Sequence, residues 1–359
     1  MRVLVTGSDG YIGAVLVPAL QAAGYEVTGI DAGFHSACQF AAVPSTPVHT
    51  LWKDTRDIEL EDLEGFQAVV HLAELSNDPL GEIDSALTEA INFRATARLA
   101  QLAQRAGVRR FIYFSSCSVY GKASEELCTE ASPTHPQTAY ARAKRLSEEA
   151  ILSLAGPDFC PVVLRNATVF GPSPRMRLDL VLNNLVALAF LEGEIRMVSD
   201  GSPWRPLIHI RDLCRAAQLA LEASEEIVRG EVFNCGDTVE NYRIREIAAC
   251  VQEAFPSCRI IPGAASPDQR SYRVSFEKIR SRLGFQARYT AKEGAAELRE
   301  VFERLPLQSF HLRDSLFFRC RRIRQLIAEG RLDEQLRWTA LDAPDGQPAG
   351  ASAASPDQR

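Results

Sequence analysis

The chain has 359 residues, of which 46% are hydrophobic and 24% charged, so it can bury a substantial core in one large domain or two smaller ones. Its formal net charge of -6 argues against nucleic acid or an anionic membrane as a general partner. The nine cysteines occur singly, without a C-x-x-C pair, which argues against a disulfide framework or a structural zinc site. We expect a cytoplasmic protein without a leader, because the first residues already have the pattern of a buried strand and no apolar run is long enough for a membrane span.

Short apolar runs alternate with helical patterns through the first half of the chain. The patterns predict strands at residues 2–6, 26–30, 67–72 and 110–114, and helices at residues 11–23 and 85–106. Strands that are apolar almost throughout indicate a parallel sheet covered by helices on both faces. In the less regular second half we predict a strand at residues 161–165 and helices at residues 178–192, 212–222, 243–253, 291–304 and 313–329.

A glycine-rich segment, TGSDGYIG at residues 6–13, follows the first strand and opens the first helix. Gly7, Gly10 and Gly13 allow a tight turn and let backbone N–H groups approach a diphosphate at the helix N-terminus. Asp31 closes the second strand, where a carboxylate can bind both hydroxyls of an adenosine ribose and would repel a 2′-phosphate. These features predict a domain that binds NAD rather than NADP.

The predicted fold class is therefore α/β: a Rossmann-type, doubly wound parallel sheet with a smaller C-terminal α/β domain that binds the substrate. We place the NAD-binding domain at residues 1–165, completed by about 207–236, and the substrate-binding domain at residues 166–206 and 237–310. A C-terminal helical segment is predicted at residues 311–340. Residues 341–359 are rich in Pro, Gly, Ala and Ser and are predicted to form a disordered tail.

Tyr140 and Lys144 form a Y-x-x-x-K pair in a helical pattern, so their side chains lie on one face, one turn apart. A tyrosine with an ordinary pKa of about 10 is a poor base at neutral pH, but a nearby ammonium stabilises its phenolate. Tyr140 is predicted to take a proton from a substrate hydroxyl while hydride leaves the same carbon for NAD, and Ser116 to hydrogen-bond that oxygen.

The glycine spacing G-x-x-G-x-x-G resembles that of the extended short-chain dehydrogenase/reductases, the family that includes NAD-dependent nucleotide-sugar epimerases and dehydratases. The resemblance continues through DTRD at residues 54–57, HLA at residues 71–73 and SSCSVYG at residues 115–121. Glu74 departs from the alanine that the family usually has. The resemblance implies cofactor contacts from Tyr11, Ile12, Asp54, Thr55, Leu72, Ala73, Asn92, Tyr140 and Lys144.

Three further segments resemble the substrate side of the same family: residues 164–172, 183–185 and 204–212. Thr168 stands where the family usually has asparagine, and Asn183-Asn184-Leu185 is similar to a motif of galactose epimerases. Guanidinium groups suit a diphosphate because they bind phosphate in bidentate geometry. His209 is interpreted as a structural residue rather than a base, and no metal site is predicted. The implied substrate contacts are Ser118, Thr168, Asn184, Arg205 and Arg270.

Cys117 and Ser118 occupy positions where sugar 4,6-dehydratases carry Asp and Glu, and where decarboxylating relatives carry a Glu. The missing acids favour a nucleotide-sugar epimerase. As a separate expectation, we predict a homodimer that takes a nucleotide-diphosphate sugar as its substrate. The alternatives are a nucleotide-sugar dehydrogenase or 4-ketosugar reductase, a dehydratase that uses Cys117 as its base, and an NAD-binding sensor without catalysis. Cys117 is either such a second base or a buried residue that fills space.

Overall fold

The computed structural model describes residues 1–40, 43, 46–76, 84–264, 270–304 and 308–339. The predicted disordered tail lies outside the described residues. Within the described ranges, no helix combines the length and the apolar character that crossing a membrane requires.

A parallel sheet of seven strands forms the centre of the molecule, in the order β11-β7-β5-β4-β1-β2-β3. Smaller sheets have the orders β12-β10-β8, β13-β9 and β14-β6. The strands are β1 (Arg2–Thr6), β2 (Glu26–Asp31), β3 (Thr50–Trp52), β4 (Ala68–His71), β5 (Arg110–Ser116), β6 (Lys122–Cys128), β7 (Cys160–Asn166), β8 (Thr168–Phe170), β9 (Glu194–Arg196), β10 (Trp204–His209), β11 (Glu231–Cys235), β12 (Asn241–Arg243), β13 (Arg259–Ile261) and β14 (Ser271–Val274).

The helices pack on both faces of the main sheet and around the smaller sheets. They are α1 (Gly13–Ala22), α2 (Ser85–Thr88 and Ala95–Arg105, joined by the π-helical segment Glu89–Arg94), α3 (Ala139–Leu152), α4 (Val181–Glu192), α5 (Ile210–Glu222), α6 (Glu225–Val228), α7 (Ile244–Ala254), α8 (Glu277–Leu283), α9 (Ala291–Arg304) and α10 (Arg319–Ala328).

Alternating strand residues enter two separate cores, as the apolar pattern of the sequence predicts. Leu4 and Phe111 pack with α2 on one face of the sheet, whereas Val5 and Ile112 pack with α1 and α5 on the other. All four side chains are fully buried. The predicted fold class, an α/β fold with a doubly wound parallel sheet, is confirmed.

The sheet has a topological switch point between β1 and β4. The chain continues from β1 to β2 and β3 on one side and returns to β4 on the other. In doubly wound sheets, ligands bind in the crevice beyond the carboxyl ends of the strands at such a point. The glycine-rich segment follows β1 and the HLA segment follows β4, so the topology brings both to this crevice.

Two predicted helices begin later than expected. The helix predicted from residue 178 begins at Val181, because the preceding residues form a loop that is held by the Arg177–Asp179 ion pair. The helix predicted from residue 313 begins at Arg319. Before it, Asp314 accepts a hydrogen bond from the backbone N–H of Leu316 and starts a short 3₁₀ turn instead.

Candidate active site

The glycine-rich segment makes a turn that only residues without a Cβ can form. Gly7 has φ +73°, and a Cβ there would lie 2.9 Å from the backbone nitrogen of Ala73. A Cβ on Gly13 would lie 2.1 Å from the carbonyl oxygen of Gly7. Gly7 therefore packs directly on the loop after β4, and the first residue of α1 packs directly on Gly7, so neither position has room for a side chain.

A cleft of about 130 Å³ follows this turn, and we call it the glycine-loop cleft. The predicted cofactor contacts that line it are Gly7, Gly10, Tyr11, Ile12, Gly13, Asp31, Asp54, Thr55, Leu72 and Ala73. Asp31 accepts hydrogen bonds from the backbone N–H groups of Asp9 (3.0 Å) and Gly33 (2.8 Å). Burial, with the nearby Asp9 carboxylate, raises the pKa of Asp31 to about 6, so its carboxylate is ionised at neutral pH.

Asn92 lies behind the cleft wall rather than in it. Its side-chain amide accepts from the backbone N–H of Leu75 (2.8 Å) and donates to the carbonyl of the same residue (3.0 Å). Asn92 is fully buried within the π-helical part of α2. The structure thus gives it the role of fixing the loop after β4, and its predicted direct contact with the cofactor stays a prediction.

A second, larger cavity of about 720 Å³ adjoins the cleft, and we call it the large cavity. Ser116 at the end of β5 and Tyr140 and Lys144 on α3 all line it. Thr138 caps α3 by accepting from the backbone N–H of Ala141 (3.1 Å), which fixes the turn that carries Tyr140. The ammonium of Lys144 lies 5.6 Å from the centre of the Tyr140 ring. The structure therefore brings together the three residues that the sequence predicts to be catalytic.

Glu74 lies where the cleft and the large cavity meet, since it lines both. Its carboxylate is 2.7 Å from the ammonium of Lys144 and accepts a hydrogen bond of 2.7 Å from the hydroxyl of Tyr113. Glu74 and Lys144 are both almost fully buried. Burial raises the pKa of Glu74, and the Lys144 ammonium opposes that rise. A buried carboxylate thus neutralises the lysine on which the predicted catalysis depends.

Cys117 faces away from the large cavity. It is 1% exposed, and its Sγ donates to the carbonyl of Arg165 at 3.2 Å. Burial raises the pKa of the Cys117 thiol well above its usual range, whereas a catalytic thiolate needs a lowered pKa. The interpretation of Cys117 as a second base is therefore not supported, because its thiol has neither access to the cavity nor the required acidity.

Ser118 and Asn166 present unused polar atoms to the large cavity. The hydroxyl of Ser118 and Oδ1 of Asn166 are buried, line the cavity, and have no hydrogen-bond partner among the described residues. Buried polar atoms without a partner carry a cost that a bound polar ligand removes. Ser118 was predicted from its motif position, whereas Asn166 was missed although it lies in the same segment as Thr168.

The other predicted substrate contacts also line the large cavity: Thr168, Asn184, Arg205 and Arg270. Asn184 donates to the carbonyl of Leu178 (2.8 Å), and Arg205 donates to the carbonyl of Arg270 (2.6 Å). Arginines missed by sequence reasoning line the cavity as well: Arg177, Arg196, Arg321 and Arg324. His209 is fully buried, pairs with Glu297 (2.9 Å) and caps α5, which agrees with its interpretation as a structural residue.

The comparisons with known proteins agree with this geometry. The sequence profile of the NAD dependent epimerase/dehydratase family matches residues 3–236, so the chain belongs to that family. It is 29% identical over 324 residues to a dTDP-glucose 4,6-dehydratase of Streptomyces niveus, covering 84% of this chain and 93% of the relative. It is 30% identical over 311 residues to a UDP-glucose 4-epimerase of Corynebacterium glutamicum, covering 81% of this chain and 92% of that relative.

Among solved structures, MoeE5 in complex with UDP-glucuronic acid and NAD superposes with a TM-score of 0.73 at 28% identity, covering 85% of this chain and 99% of MoeE5. The predictions of an enzyme, of this family and of NAD as cofactor are confirmed, which removes the sensor alternative. The residues present fit NAD, since a glycine turn without Cβ atoms and the ionised Asp31 face one cleft. The relatives include an epimerase and a dehydratase at nearly equal identity, so membership alone leaves the reaction open.

Proposed function

We propose that the protein is a nucleotide-sugar epimerase that transiently oxidises a sugar hydroxyl. The observation that carries this proposal is the set of groups facing the large cavity. Ser116, Tyr140 and Lys144 line it, and the position after Ser116, where dehydratases of the family place an acid, holds a cysteine that faces elsewhere. Ser118 contributes only a hydroxyl. The cavity thus has the groups that oxidation and reduction of a hydroxyl need. Positions 117 and 118 lack the paired acids with which dehydratases of the family eliminate water.

Each of these residues has a definite task. Tyr140 takes the hydroxyl proton, because Lys144 stabilises its phenolate, and returns it at the end of the cycle. Ser116 holds the reacting oxygen, which fixes the carbon–hydrogen bond that must break. NAD held in the glycine-loop cleft would supply the hydride acceptor for the oxidation and the hydride donor for the reduction. Burial of Lys144 strengthens its effect on Tyr140, since charges interact more strongly away from water.

Inversion at a carbon requires that hydride return to the opposite face of the sugar. The sugar must therefore turn while the rest of the substrate stays anchored. A volume of about 720 Å³ lies within the range of about 300–1,000 Å³ of ligand pockets. Arg205 and Arg270 line the same cavity and suit a diphosphate anchor.

A product assay in D₂O tests the proposal. The purified protein is incubated with UDP-glucose, UDP-galactose, UDP-glucuronic acid and dTDP-glucose, and products are identified by mass spectrometry and NMR. An epimerase gives a product of unchanged mass, with an inverted carbon and no carbon-bound deuterium. A product lighter by one water would instead identify a dehydratase. Consumption of NADH when a keto-sugar is supplied as the substrate would identify a reductase.

Substitution of the base tests the assignment of roles. Tyr140→Phe is expected to bind NAD and substrate but to lose turnover by about two to four orders of magnitude, since general-base catalysis contributes roughly that much. Binding is measured by calorimetry and turnover by the product assay. Turnover close to that of the unsubstituted protein would place the base elsewhere.

A further inference from the structure

The C-terminal segment at residues 308–339 crosses the glycine-loop cleft, and we call it the C-terminal strap. Near its start, the carbonyl of Phe317 accepts from the backbone N–H of Leu178 (2.9 Å), beside the large cavity. Near its end, the indole N–H of Trp338 donates to the carbonyl of Ala32 (2.6 Å), directly after β2. The matched family profile ends at residue 236, so the strap lies beyond it.

The second half of the strap is attached to the cleft edge by apolar and charged contacts. Its apolar residues Ile323, Leu326, Leu332 and Trp338 pack with Leu75, Leu87 and Ile91 in a core of their own. At its far end, Arg337 pairs with the carboxylate of Asp57, and Arg56 donates to the carbonyl of Gln335 (2.8 Å). The strap therefore joins both edges of the cleft across the loop that follows β4.

Arg319 projects from the strap into the wall of the glycine-loop cleft. It is 1% exposed and is among the largest fully buried side chains of the described chain. Its guanidinium donates to the carbonyl of Arg175 (2.7 Å), but none of the described carboxylates forms an ion pair with it. A buried cation without an anionic partner is costly, so a protein retains one mainly where a ligand supplies the anion.

The two neighbouring arginines on the loop before α4 each have a carboxylate partner of their own, which Arg319 lacks among the described residues. Arg175 pairs with Asp9 (2.6 Å), and Arg177 forms a bidentate pair with Asp179 (2.8 and 3.1 Å). Arg177 also lines the cleft. Burial and the neighbouring Arg177 lower the pKa of Arg319 to about 10, which still leaves it charged at neutral pH. A bound anion would remove the repulsion between the two guanidinium groups.

His35 is a second, independent sign of a ligand at this position. It lines the same cleft, and its Nδ1 is buried without a hydrogen-bond partner among the described residues. Burial and the surrounding arginines lower the pKa of His35 well below its usual range, so the ring is neutral. A neutral imidazole still has one N–H to donate, and an orphaned buried nitrogen facing a cleft is satisfied by an acceptor such as a phosphate oxygen.

We propose that Arg319, together with His35 and Arg177, binds the diphosphate of the dinucleotide, so that the C-terminal strap closes the cofactor cleft. This inference rests on the cofactor site and not on the sugar reaction, and a binding assay tests it separately from turnover.

The test measures the affinity of the full-length, cofactor-stripped protein for three probes by calorimetry. ADP-ribose carries the diphosphate, adenosine lacks it, and NADP adds a 2′-phosphate. Arg319→Met is expected to weaken ADP-ribose binding by about 10- to 100-fold and to leave adenosine binding unchanged. Arg313→Met, an equal change of charge at an exposed position of the strap, is the matched control and keeps the affinity for ADP-ribose.

His35→Leu keeps the inference testable if Arg319→Met does not fold, which thermal unfolding shows. Its expected loss is about 3- to 10-fold for ADP-ribose, again without loss for adenosine. Unchanged affinity of the folded variants for ADP-ribose would overturn the inference. If only the affinity for NADP falls, Arg319 binds a 2′-phosphate instead. If the affinity for adenosine falls as much as that for ADP-ribose, Arg319 has a purely structural role. Either result would also overturn the inference.

Discussion

Glu74→Gln is expected to move the acidic limb of the pH–rate profile to lower pH. The change removes a buried negative charge 2.7 Å from the ammonium of Lys144 and keeps the size of the side chain. Lys144 then acts on Tyr140 without an opposing charge. Because a positive charge favours the phenolate over the phenol, the base forms at lower pH in the variant.

The size of the shift follows from the geometry. The Lys144 ammonium lies 5.6 Å from the centre of the Tyr140 ring. With an effective dielectric constant of about 20, unit charges at that separation interact by about 3 kcal/mol, or about two pKa units. A carboxylate in contact with the ammonium cancels a large part of this field. We therefore expect a shift of about one pH unit on its removal.

The measurement is kcat/KM as a function of pH for the unsubstituted protein and Glu74→Gln, with the substrate that the product assay identifies. Tyr113→Phe is the matched control, because it removes the hydrogen bond to Glu74 but leaves the carboxylate. Its acidic limb is expected to stay in place. A Glu74→Gln profile that is unmoved, or moved to higher pH, would refute the view that Glu74 weakens the action of Lys144.

Asp31→Ala is expected to reduce the ratio of the affinity for NAD to that for NADP, and calorimetry with both dinucleotides measures the two affinities. If the unsubstituted protein bound both equally, the predicted role of Asp31 would be wrong. The affinity of the unsubstituted protein for NAD should also fall below pH about 6, as the Asp31 carboxylate, which is predicted to accept hydrogen bonds from the ribose hydroxyls, becomes protonated. Cys117→Ala is expected to keep its turnover, because Sγ faces the carbonyl of Arg165. Cys117 would again be a candidate base if the folded variant lost turnover and the unsubstituted protein formed a product with carbon-bound deuterium. Glu148→Gln is expected to lower the free energy of unfolding by about 3–5 kcal/mol, measured by chemical denaturation, because it leaves Arg165 buried without its carboxylate partner. A loss of less than about 1 kcal/mol would argue against a stabilising role for this ion pair.

The parts of the candidate site whose arrangement could be predicted from the sequence depend on short-range order. Gly7 and Gly13 lie in one turn, and Tyr140 and Lys144 lie one helical turn apart, so their spacing alone defines their geometry. Five of the seven strands of the main sheet, β1, β2, β4, β5 and β7, were predicted for a similar reason, whereas β3 and β11 were missed. Buried parallel strands are apolar throughout, and this pattern is visible in a single sequence.

The parts that the sequence did not predict depend on contacts between distant segments. Glu74 was recognised as a departure from its family, but its pairing with Lys144, seventy positions away, exists only in the folded chain. Arg319 and His35 belong to no motif and meet because the C-terminal strap returns across the cleft. The short strands β8, β9, β12 and β13, of three residues each, are too brief to show a period.

Helix α3, which carries Tyr140 and Lys144, shows how a motif depends on residues outside it. Glu148 lies four positions after Lys144 and so on the same face of α3. It is fully buried and accepts from Arg165 on β7 (2.7 and 3.0 Å) and from Ser115 on β5 (2.5 Å). This pairing fixes the helix to adjacent strands of the sheet, one turn beyond Lys144. The placement of Tyr140 and Ser116 on the same cavity thus depends on a buried ion pair that does not line it. Substitutions of this pair are therefore expected to lower stability first, and to lower turnover only through that loss.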